Sequence, residues 1–319
     1  MKILKGKSGI AIELFIKTIA LLAVVPIFLI LGYIIYKGVP AISWEFLTEV
    51  PKRGMRAGGI FPAIVGTIYL TLGTIAVSVP FGIFTGVYLV EYAKDNVLTR
   101  LINLTIINLA GIPSIIYGLF GMALFVIYFK LGVSILSGSL TLGIMCLPVI
   151  ITATREALLA VPNSLREASL ALGATKWETI SKVVVPAALP GISTGVILSI
   201  SRAAGETAPI LFTAAAFYLP FLPQSIFDQV MALPYHLYVI STQVPNMPQS
   251  NMHGTLFVLV FITVGFNLIG AYIRNKFDGN KEQMERFMKD VVPKCQKYGL
   301  TDMKDAETYW DMRQNEKDN

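Results

Sequence analysis

Charged residues are scarce in this sequence, because they make up 14% of its 319 residues, whereas an ordinary soluble domain is about one-quarter charged. The chain has two cysteines, Cys146 and Cys295, and two histidines, His236 and His253. Two cysteines in such different surroundings exclude a disulfide framework, and two histidines without neighbouring cysteines do not make a metal site. Hydrophobic residues reach 54%. This excess predicts a chain embedded in lipid.

A loop that binds the phosphates of ATP is also lacking. Such a loop reads Gly, four residues, then Gly-Lys-Ser or Gly-Lys-Thr, and it leads from a strand into a helix. Gly6-Lys7-Ser8 lacks the leading glycine and enters an apolar stretch, so we interpret it as chance. The +6 net charge is scattered along the chain, which argues against a nucleic-acid partner. We therefore expect a transport subunit without its own ATPase site, metal or cofactor.

Six apolar stretches are long enough to cross a bilayer, which takes about 20 residues as a helix. They predict an all-α membrane protein with both termini on one side. The six stretches cover residues 14–37, 62–90, 103–130, 137–155, 188–218 and 254–273. Prolines inside or at the ends of these stretches predict kinks that neighbouring helices accommodate. These prolines are Pro80, Pro113, Pro148 and Pro209.

The distribution of Lys and Arg predicts the orientation, because positive residues concentrate on the cytoplasmic side. They cluster near the N-terminus, around Lys94 and Arg100, between Arg155 and Lys182, and after Arg274, but are absent from 219–253. We expect a cytoplasmic N-terminus (1–13), a transmembrane domain (14–274) and a cytoplasmic tail (275–319). The tail carries apolar residues at helical spacing, which favour a short amphipathic helix. These residues are Met284, Phe287, Met288 and Val291. Segment 219–253 is long for a connection, which indicates a functional role.

The loop at about 156–187, between the fourth and fifth spans, has the features of a docking surface. A charged helix ends at Gly173, which suits a C-cap, and an amphipathic stretch begins near Thr175. Trp177, with Ile180 nearby, is predicted to anchor the loop in a groove of a partner, since buried aromatic residues dominate such contacts. Taken alone, these residues also fit an ordinary amphipathic linker.

The same loop closely resembles the EAA motif of permease subunits of ABC importers. Glu167, Ala168 and Gly173 match its spacing, Val183 and Val185 lead to the closing Pro186, and Ser169 replaces the second alanine. The resemblance implies six transmembrane helices of the type I ABC importer permease fold. It also implies that Glu167, Ala168, Gly173, Trp177 and Pro186 couple the chain to a separate ATPase subunit.

The predicted fifth span contains two charges, Arg202 and Glu206, with Thr207 beside them. A charge in the middle of the membrane costs about 3 kcal/mol on insertion scales, so it should face protein or water. The two residues are four apart and can pair. One interpretation is an ion pair that locks two helices together. The other is an anion pathway, in which the Arg fork matches phosphate oxygens and Glu206 keeps the anion from binding too tightly to leave.

Residues 201–214, which read Ser-Arg-Ala-Ala-Gly-Glu-Thr-Ala-Pro-Ile-Leu-Phe-Thr-Ala, resemble the corresponding span of the PstA family of phosphate permeases. Segments 58–67, 111–121 and 232–238 agree, and the resemblance covers about 12–274. It implies an ATP-driven phosphate importer in a prokaryotic cell membrane, with Arg202, Glu206 and Thr207 on the substrate path.

The implied partners are a PstC-like second permease, two PstB-like subunits that bind ATP and Mg²⁺, and an extracytoplasmic PstS-like phosphate-binding protein. The Arg-Ala-x-Gly-Glu-Thr core is shared with PstC, so a PstC-like permease remains open. So does a permease for another anion, such as phosphonate or molybdate. The alternative of a different class is a secondary transporter driven by an ion gradient.

Two further features concern the second span. Glu91 at its end is interpreted as a solvated charge at the membrane interface. The span also carries a run of small residues, which we interpret first as helix packing and second as pore lining. This run includes Gly66, Gly73, Gly82 and Gly86.

Overall fold

The computed structural model describes the backbone of residues 7–171 and 173–297 and the side chains of residues 12–170 and 173–275. This part of the chain is almost entirely helical. The helices are α1 (Lys7–Gly38), α2 (Trp44–Thr48), α3 (Phe61–Val87), α4 (Val97–Ala110), α5 (Ser114–Gly121), α6 (Ile135–Leu159), α7 (Asn163–Ala171), α8 (Lys176–Glu178), α9 (Val185–Gly205), α10 (Ala208–Thr213), α11 (Leu233–Thr242) and α12 (Gln249–Lys297). The strands β1 (Pro51–Lys52) and β2 (Ala57–Gly58) form a small antiparallel hairpin.

Three helices are lengthened by π-helical turns, and one is followed by a short 3₁₀ helix. The π segments are Tyr88–Tyr92 after α3, Met122–Tyr128 after α5, and Thr179–Val184 between α8 and α9. The 3₁₀ helix is Val39–Ala41 after α1. Single π turns are rare and occur frequently at functional sites.

Five continuous helical stretches in the described residues are long and apolar enough to cross a membrane. They are Ile12–Ala41, Phe61–Tyr92, Ile135–Leu159, Lys176–Gly205 and Gln249–Asn275. The predicted third span, 103–130, is instead two helices, α4 and the extended α5, which meet at 106°. Gly111 caps the end of α4, and Pro113 has no backbone N–H to continue it. A kink was expected at Pro113, but the break is much sharper than a kink.

The predicted fifth span, 188–218, has different bounds in the structure. Its helix runs from Lys176 to Gly205, the backbone of Glu206 is extended with ψ 135°, and α10 resumes at Ala208. Pro209 lacks the N–H that would bond to the Gly205 carbonyl in a continuous helix. A kink was expected at Pro209, but the helix breaks completely, and the predicted bounds of the span were wrong. The break falls beside Arg202.

Segment 219–253 folds back into the core. The Val230 N–H donates to the Ala214 carbonyl and the Val230 carbonyl accepts from the Ala216 N–H, which makes a parallel bridge between Ala215 and Val230. Val230 and Leu233 are both 0% exposed, and α11 follows directly. Residues 230–236 of this segment are buried, whereas most of 220–229 and 241–250 is exposed.

Helix α3 packs closely on α6 at small residues. Gly73, Gly82 and Gly86 leave the space that Ser139, Ile150 and Thr154 occupy, which confirms the interpretation of these glycines as helix packing. A line of buried hydroxyls also runs along α3, and each donates to the carbonyl four residues earlier in the same helix. These hydroxyls belong to Thr67, Thr71, Thr74 and Ser78.

Helix α12 continues without interruption from its apolar part to Lys297. Residues 284–291 of the tail are therefore helical, as predicted, but they extend the last span rather than form a separate helix. The N-terminal residues 1–6 and the tail residues 298–319 lie outside the described residues. Helix α1 packs against α12 near the C-terminal end of α1, where Ile34 is buried and Gly38 contacts Phe257.

Candidate functional site

The loop at 156–187 begins with α7, which ends as the sequence predicts. Gly173 has a φ of +86°, and it donates to the Leu170 carbonyl while Ala174 donates to the Ser169 carbonyl. These two bonds make a Schellman motif, which satisfies the last carbonyls of a helix. Gly173 is therefore the C-cap residue that turns the loop back.

The return half of the loop starts at Thr175, again as predicted. Thr175 and Glu178 form a capping box, in which the Glu178 N–H donates to Thr175 Oγ1 at 3.3 Å and the Thr175 N–H donates to Glu178 Oε2 at 3.0 Å. The hydroxyls of Ser169 and Thr179 then join the two halves at 2.9 Å, where both residues are buried. The loop is thus a compact helical hairpin.

Arg166 fixes this hairpin to the end of α3. Its Nη2 donates to Glu91 Oε1 at 2.8 Å and to the Leu158 carbonyl at 2.9 Å, and its Nη1 donates to the Val161 carbonyl at 2.8 Å. The Glu91 side chain is only 9% exposed. The interpretation of Glu91 as a solvated interfacial charge was therefore wrong, because a residue 75 positions away covers it.

A second contact joins the loop to the same π segment of α3. The ammonium group of Lys176 lies 4.8 Å from the centroid of the Tyr92 ring, within the range of a cation–π interaction. Two residues of one π-helical segment, Glu91 and Tyr92, thus hold two different parts of the loop.

The surface that the loop presents is formed by only part of the predicted set. Glu167 and Trp177 are exposed, Trp177 at 62%, and Ala168 is half-buried. Ile180 is 2% exposed and packs inside the chain, so the prediction that it supports Trp177 in a partner's groove was wrong. Pro186 is the second residue of α9, which directly follows the π segment Thr179–Val184.

The two charges in the fifth span form the expected ion pair. Arg202 lies in the last turn of α9 and Glu206 is its C-cap residue, and Arg202 Nε donates to Glu206 Oε1 at 3.1 Å. The Arg202 side chain is 48% exposed and that of Glu206 15%. Thr207, the third predicted residue, lies in the break and is the N-cap residue of α10.

Glu206 turns inward while Arg202 turns outward. Glu206 lines a cavity of ≈ 10 Å³ together with Thr67 and Thr71 of α3 and Pro234 of α11, which is about the room that one water molecule needs. The neighbouring Ser201 donates to Asn267 Oδ1 of α12 at 2.7 Å. The ion pair therefore stands between the packed interior and an open face of the helix.

That open face is a stripe on α9. Its exposed residues follow one another at spacings of seven, four and three, which places them on one side of a helix. They are Gly191, Leu198, Arg202 and Gly205. A charge on this stripe cannot face lipid without a large cost, so the stripe requires water or another protein surface.

The histidines differ in their surroundings. His253 contacts the Gln249 carbonyl through Nδ1 at 2.6 Å and the Tyr33 hydroxyl through Nε2 at 3.5 Å. His236 is 3% exposed, and its Nδ1 has no hydrogen-bond partner among the described residues. Burial lowers the pKa of His236 to about 4. Within the described ranges, no group of three or more His, Cys, Asp or Glu side chains is placed to hold a metal ion.

Sequence reasoning missed the Arg166–Glu91 pair and the part of α3 that faces Glu206. Thr67 accepts a hydrogen bond from the Leu233 N–H at 2.8 Å, which brings segment 219–253 to the same cavity. The available signal was the polar line Thr67, Thr71, Thr74 and Ser78 in an otherwise apolar helix, since intramembrane polar residues face protein.

Comparisons with known proteins agree with this arrangement. A family model described as "Binding-protein-dependent transport system inner membrane component" matches residues 78–281. The chain is 35% identical over 266 residues to "Probable ABC transporter permease protein YqgI" of Bacillus subtilis (strain 168), covering 78% of this chain and 90% of that protein. It is 36% identical over 273 residues to "Phosphate transport system permease protein PstA" of Mycobacterium leprae (strain TN), covering 84% and 88%.

A solved structure has a similar fold. It is titled "Inward facing conformations of the MetNI methionine ABC transporter: CY5 native crystal form", and the two chains align with a TM-score of 0.55 at 19% identity. The alignment covers 68% of this chain and 97% of that chain. At this identity the likeness concerns the fold alone, which is that of a type I ABC importer permease.

Proposed function

Because the chain belongs to the family of binding-protein-dependent transport system inner membrane components, we propose that it is the PstA-like permease subunit of an ATP-driven phosphate importer. As a family member it is an inner-membrane transport subunit of an ABC transporter, and the ATPase is a separate subunit. The substrate, the identity of the partners and the coupling residues are our proposals. Relatives named as phosphate permeases support the choice of substrate.

One observation carries the proposed substrate path: Arg202 is half-exposed beside a helix break and leaves most of its guanidinium unused. In the part of the chain that the structure describes, its Nε bonds to Glu206, while an Arg side chain has five N–H donors. The remaining donors match the oxygens of a phosphate ion. Glu206 and Thr207 complete this path, Glu206 by moderating the positive charge and Thr207 by its hydroxyl.

The stripe on α9 supports the need for a second permease. A PstC-like subunit would cover Leu198 and the glycines on either side of Arg202 and enclose the charge between two proteins. An extracytoplasmic PstS-like protein would deliver phosphate at the end of the bundle that holds segment 219–253, of which α11 is a part. This segment contains no Lys or Arg. Both chain termini and the 156–187 loop are assigned to the cytoplasmic side.

The 156–187 loop is assigned to ATPase docking. Glu167 and Trp177 offer an exposed acidic group and an exposed aromatic ring on a hairpin whose shape is fixed by the Gly173 cap and the Thr175 capping box. Two PstB-like subunits, each with ATP and Mg²⁺, would seat this hairpin and its counterpart on the second permease. Ala168 permits close approach, and Pro186 ends the motif where α9 begins.

The direct test is transport by the assembled complex in proteoliposomes. We expect the chain to co-purify with an ATPase and, with ATP inside and a phosphate-binding protein outside, to accumulate labelled phosphate. Excess phosphonate or molybdate should not compete. Competition by one of them, with poor phosphate uptake, would transfer the assignment to another anion. Uptake by this chain alone, driven by an ion gradient without an ATPase, would establish a secondary transporter instead.

A further inference from the structure

One continuous helical element, α3 with its π segment, reaches from the cavity beside Glu206 to the cytoplasmic 156–187 loop. Thr67 and Thr71 line the cavity, and Glu91 and Tyr92 contact the loop. The 20 residues between Thr71 and Glu91 span about 30 Å at 1.5 Å per residue. If one end of α3 is displaced along the helix axis, the other end therefore moves with it.

Arg166 joins three elements at the loop end of this helix. It belongs to α7, bonds to Glu91 after α3, and bonds to the carbonyls of Leu158 and Val161 at the end of α6. Its side chain is 17% exposed. Because these bonds use Nε, Nη1 and Nη2 at once, α7 cannot move away from α3 without breaking charge-assisted bonds, which are roughly twice as strong as neutral ones.

We propose that Arg166 and Glu91 are a positioning pair that passes the movement of the 156–187 loop into α3, and so to the cavity beside Glu206. This inference rests on the proposed function, because the movement originates in the ATPase. The Lys176–Tyr92 contact supplements the pair. The π segment Tyr88–Tyr92 carries both acceptor residues, so the loop pulls on α3 at the turn where its hydrogen-bond pattern already departs from the α-helix.

The pair is tested by separating ATP hydrolysis from transport. Glu91→Ala removes the acceptor, and we expect it to keep assembly and ATP hydrolysis while phosphate taken up per ATP falls at least ~10-fold, the result of losing a charge-assisted contact. Glu91→Gln keeps one neutral acceptor oxygen and should give an intermediate value. The matched control is Asp95→Ala, which breaks the Arg100–Asp95 pair at the same end of the bundle, where both side chains are more than 70% exposed. It should leave the ratio unchanged.

A tether distinguishes transmission from simple stabilisation. In a Cys295→Ser background, Glu91→Cys with Arg166→Cys should be uncoupled, and a short bis-maleimide bridge between the two should restore uptake per ATP. Cys146 is buried and does not compete. If the pair only stabilises the fold, the unbridged variant will lose ATP hydrolysis and uptake together, and the bridge will raise both without changing their ratio. Normal uptake per ATP in Glu91→Ala would also overturn the inference.

A reporter that needs no substrate separates this inference from the proposed function. Leu198 is exposed in the single chain but faces the second permease in the proposed complex, so maleimide labelling of Leu198→Cys reports the opening of that interface. This labelling should change on ATP binding when Glu91 is present but not with Glu91→Ala. If phosphate is not the substrate but labelling still depends on Glu91, the proposed substrate fails and the positioning pair stands. If no ATPase associates with the wild-type chain, both fail. If labelling responds equally in both variants, the pair alone fails.

Discussion

Among the described side chains, two Arg–Glu pairs lie in the helical bundle, and they differ in almost every respect. Arg166 and Glu91 are 75 residues apart, 17% and 9% exposed, and Arg166 also bonds to two backbone carbonyls. Arg202 and Glu206 are four residues apart, 48% and 15% exposed, and joined through one nitrogen. The first pair is saturated by protein groups, whereas the second leaves donors available to a ligand.

This difference separates an ion pair that holds helices together from one that can bind an anion. A buried Arg whose donors are all satisfied holds elements together, and removing either partner leaves a buried charge uncompensated. An Arg that keeps free donors on an exposed helix face can exchange protein contacts for the oxygens of an anion. The two pairs should therefore respond to substitution in opposite rank order for transport and for stability.

The largest expected effect is on transport through Arg202. A single substitution would strand Glu206, so the informative variant is Arg202→Met with Glu206→Gln. Phosphate uptake should fall at least ~100-fold, while the free energy of unfolding changes by about 1 kcal/mol or less, as for other partly exposed ion pairs. The single substitution Arg202→Lys should retain part of the uptake at best, because Lys keeps the charge but loses the planar fork.

Arg166→Met supplies the opposite half of the comparison. It should lower the free energy of unfolding by about 3 kcal/mol, since Glu91 is then buried without its partner. Thermal unfolding of the purified chain and labelled-phosphate uptake measure the two quantities. Full uptake by the assembled Arg202→Met/Glu206→Gln variant would remove Arg202 from the phosphate path and make both pairs structural.

The comparison extends to a buried polar group with no charged partner, His236. Burial lowers its pKa from 6.5 to about 4, so between these values the unfolded chain binds a proton that the folded chain does not. The resulting stability is fully present above pH 6.5 and is lost as the pH falls toward 4, by roughly 3 kcal/mol in total.

The measurement is the thermal midpoint from pH 7.5 to 4 for the wild-type chain and His236→Leu. Protonation of carboxylates affects both, so the difference between the two curves isolates His236, and it should shrink as the pH rises. His253→Gln is the matched control, because the His253 ring nitrogens contact the Gln249 carbonyl and the Tyr33 hydroxyl. Parallel curves for the wild-type chain and His236→Leu would contradict a buried neutral His236.

What could be predicted from the sequence was local. Apolar length predicted the spans other than the third and fifth. Gly173 and Thr175 marked the turn of the 156–187 loop, and the i, i+4 spacing indicated the Arg202–Glu206 pair. These features depend on residues within one or two helical turns of each other. The Glu91–Arg166 pair and the return of Val230–Leu233 into the core join distant parts of the chain, and such contacts leave no periodic pattern in one sequence. The helix breaks at Gly111 and Gly205 were predicted only in part, because the nearby prolines indicated a kink but not its angle.

A smaller effect is expected at the exposed surface of the 156–187 loop. Trp177→Ala should weaken association with the ATPase by roughly 2 kcal/mol, about 30-fold, as for an aromatic anchor at an interface. The isolated chain should keep its stability, because the Trp177 side chain is 62% exposed. Trp44→Ala is the matched control, since Trp44 is 81% exposed and lies far from the loop in α2. Equal ATPase affinity in the two variants would show that Trp177 is not an anchor.

The smallest effect is expected at Gly173, where the constraint is the backbone alone. Its φ is +86°, and a Cβ added there would meet nothing within 4 Å. Gly173→Val should therefore cost only the left-handed backbone penalty of about 1–2 kcal/mol, weakening the end of α7. The chain should still insert and bind the ATPase, but uptake per ATP should fall about 5- to 30-fold, since 1.4 kcal/mol is a factor of ten.

Two controls identify the cause of that loss. Gly173→Asn should retain most of the coupling, because Asn adopts the left-handed conformation more readily than other side chains. Gly54→Val carries a similar backbone penalty, with a φ of +64° and open space around a Cβ, but it lies in the hairpin at the other end of the bundle. It should leave uptake per ATP unchanged. If Gly173→Val also transports normally, the end of α7 does not transmit the ATPase movement, and the saturated Arg166–Glu91 pair would have to act without a fixed loop turn.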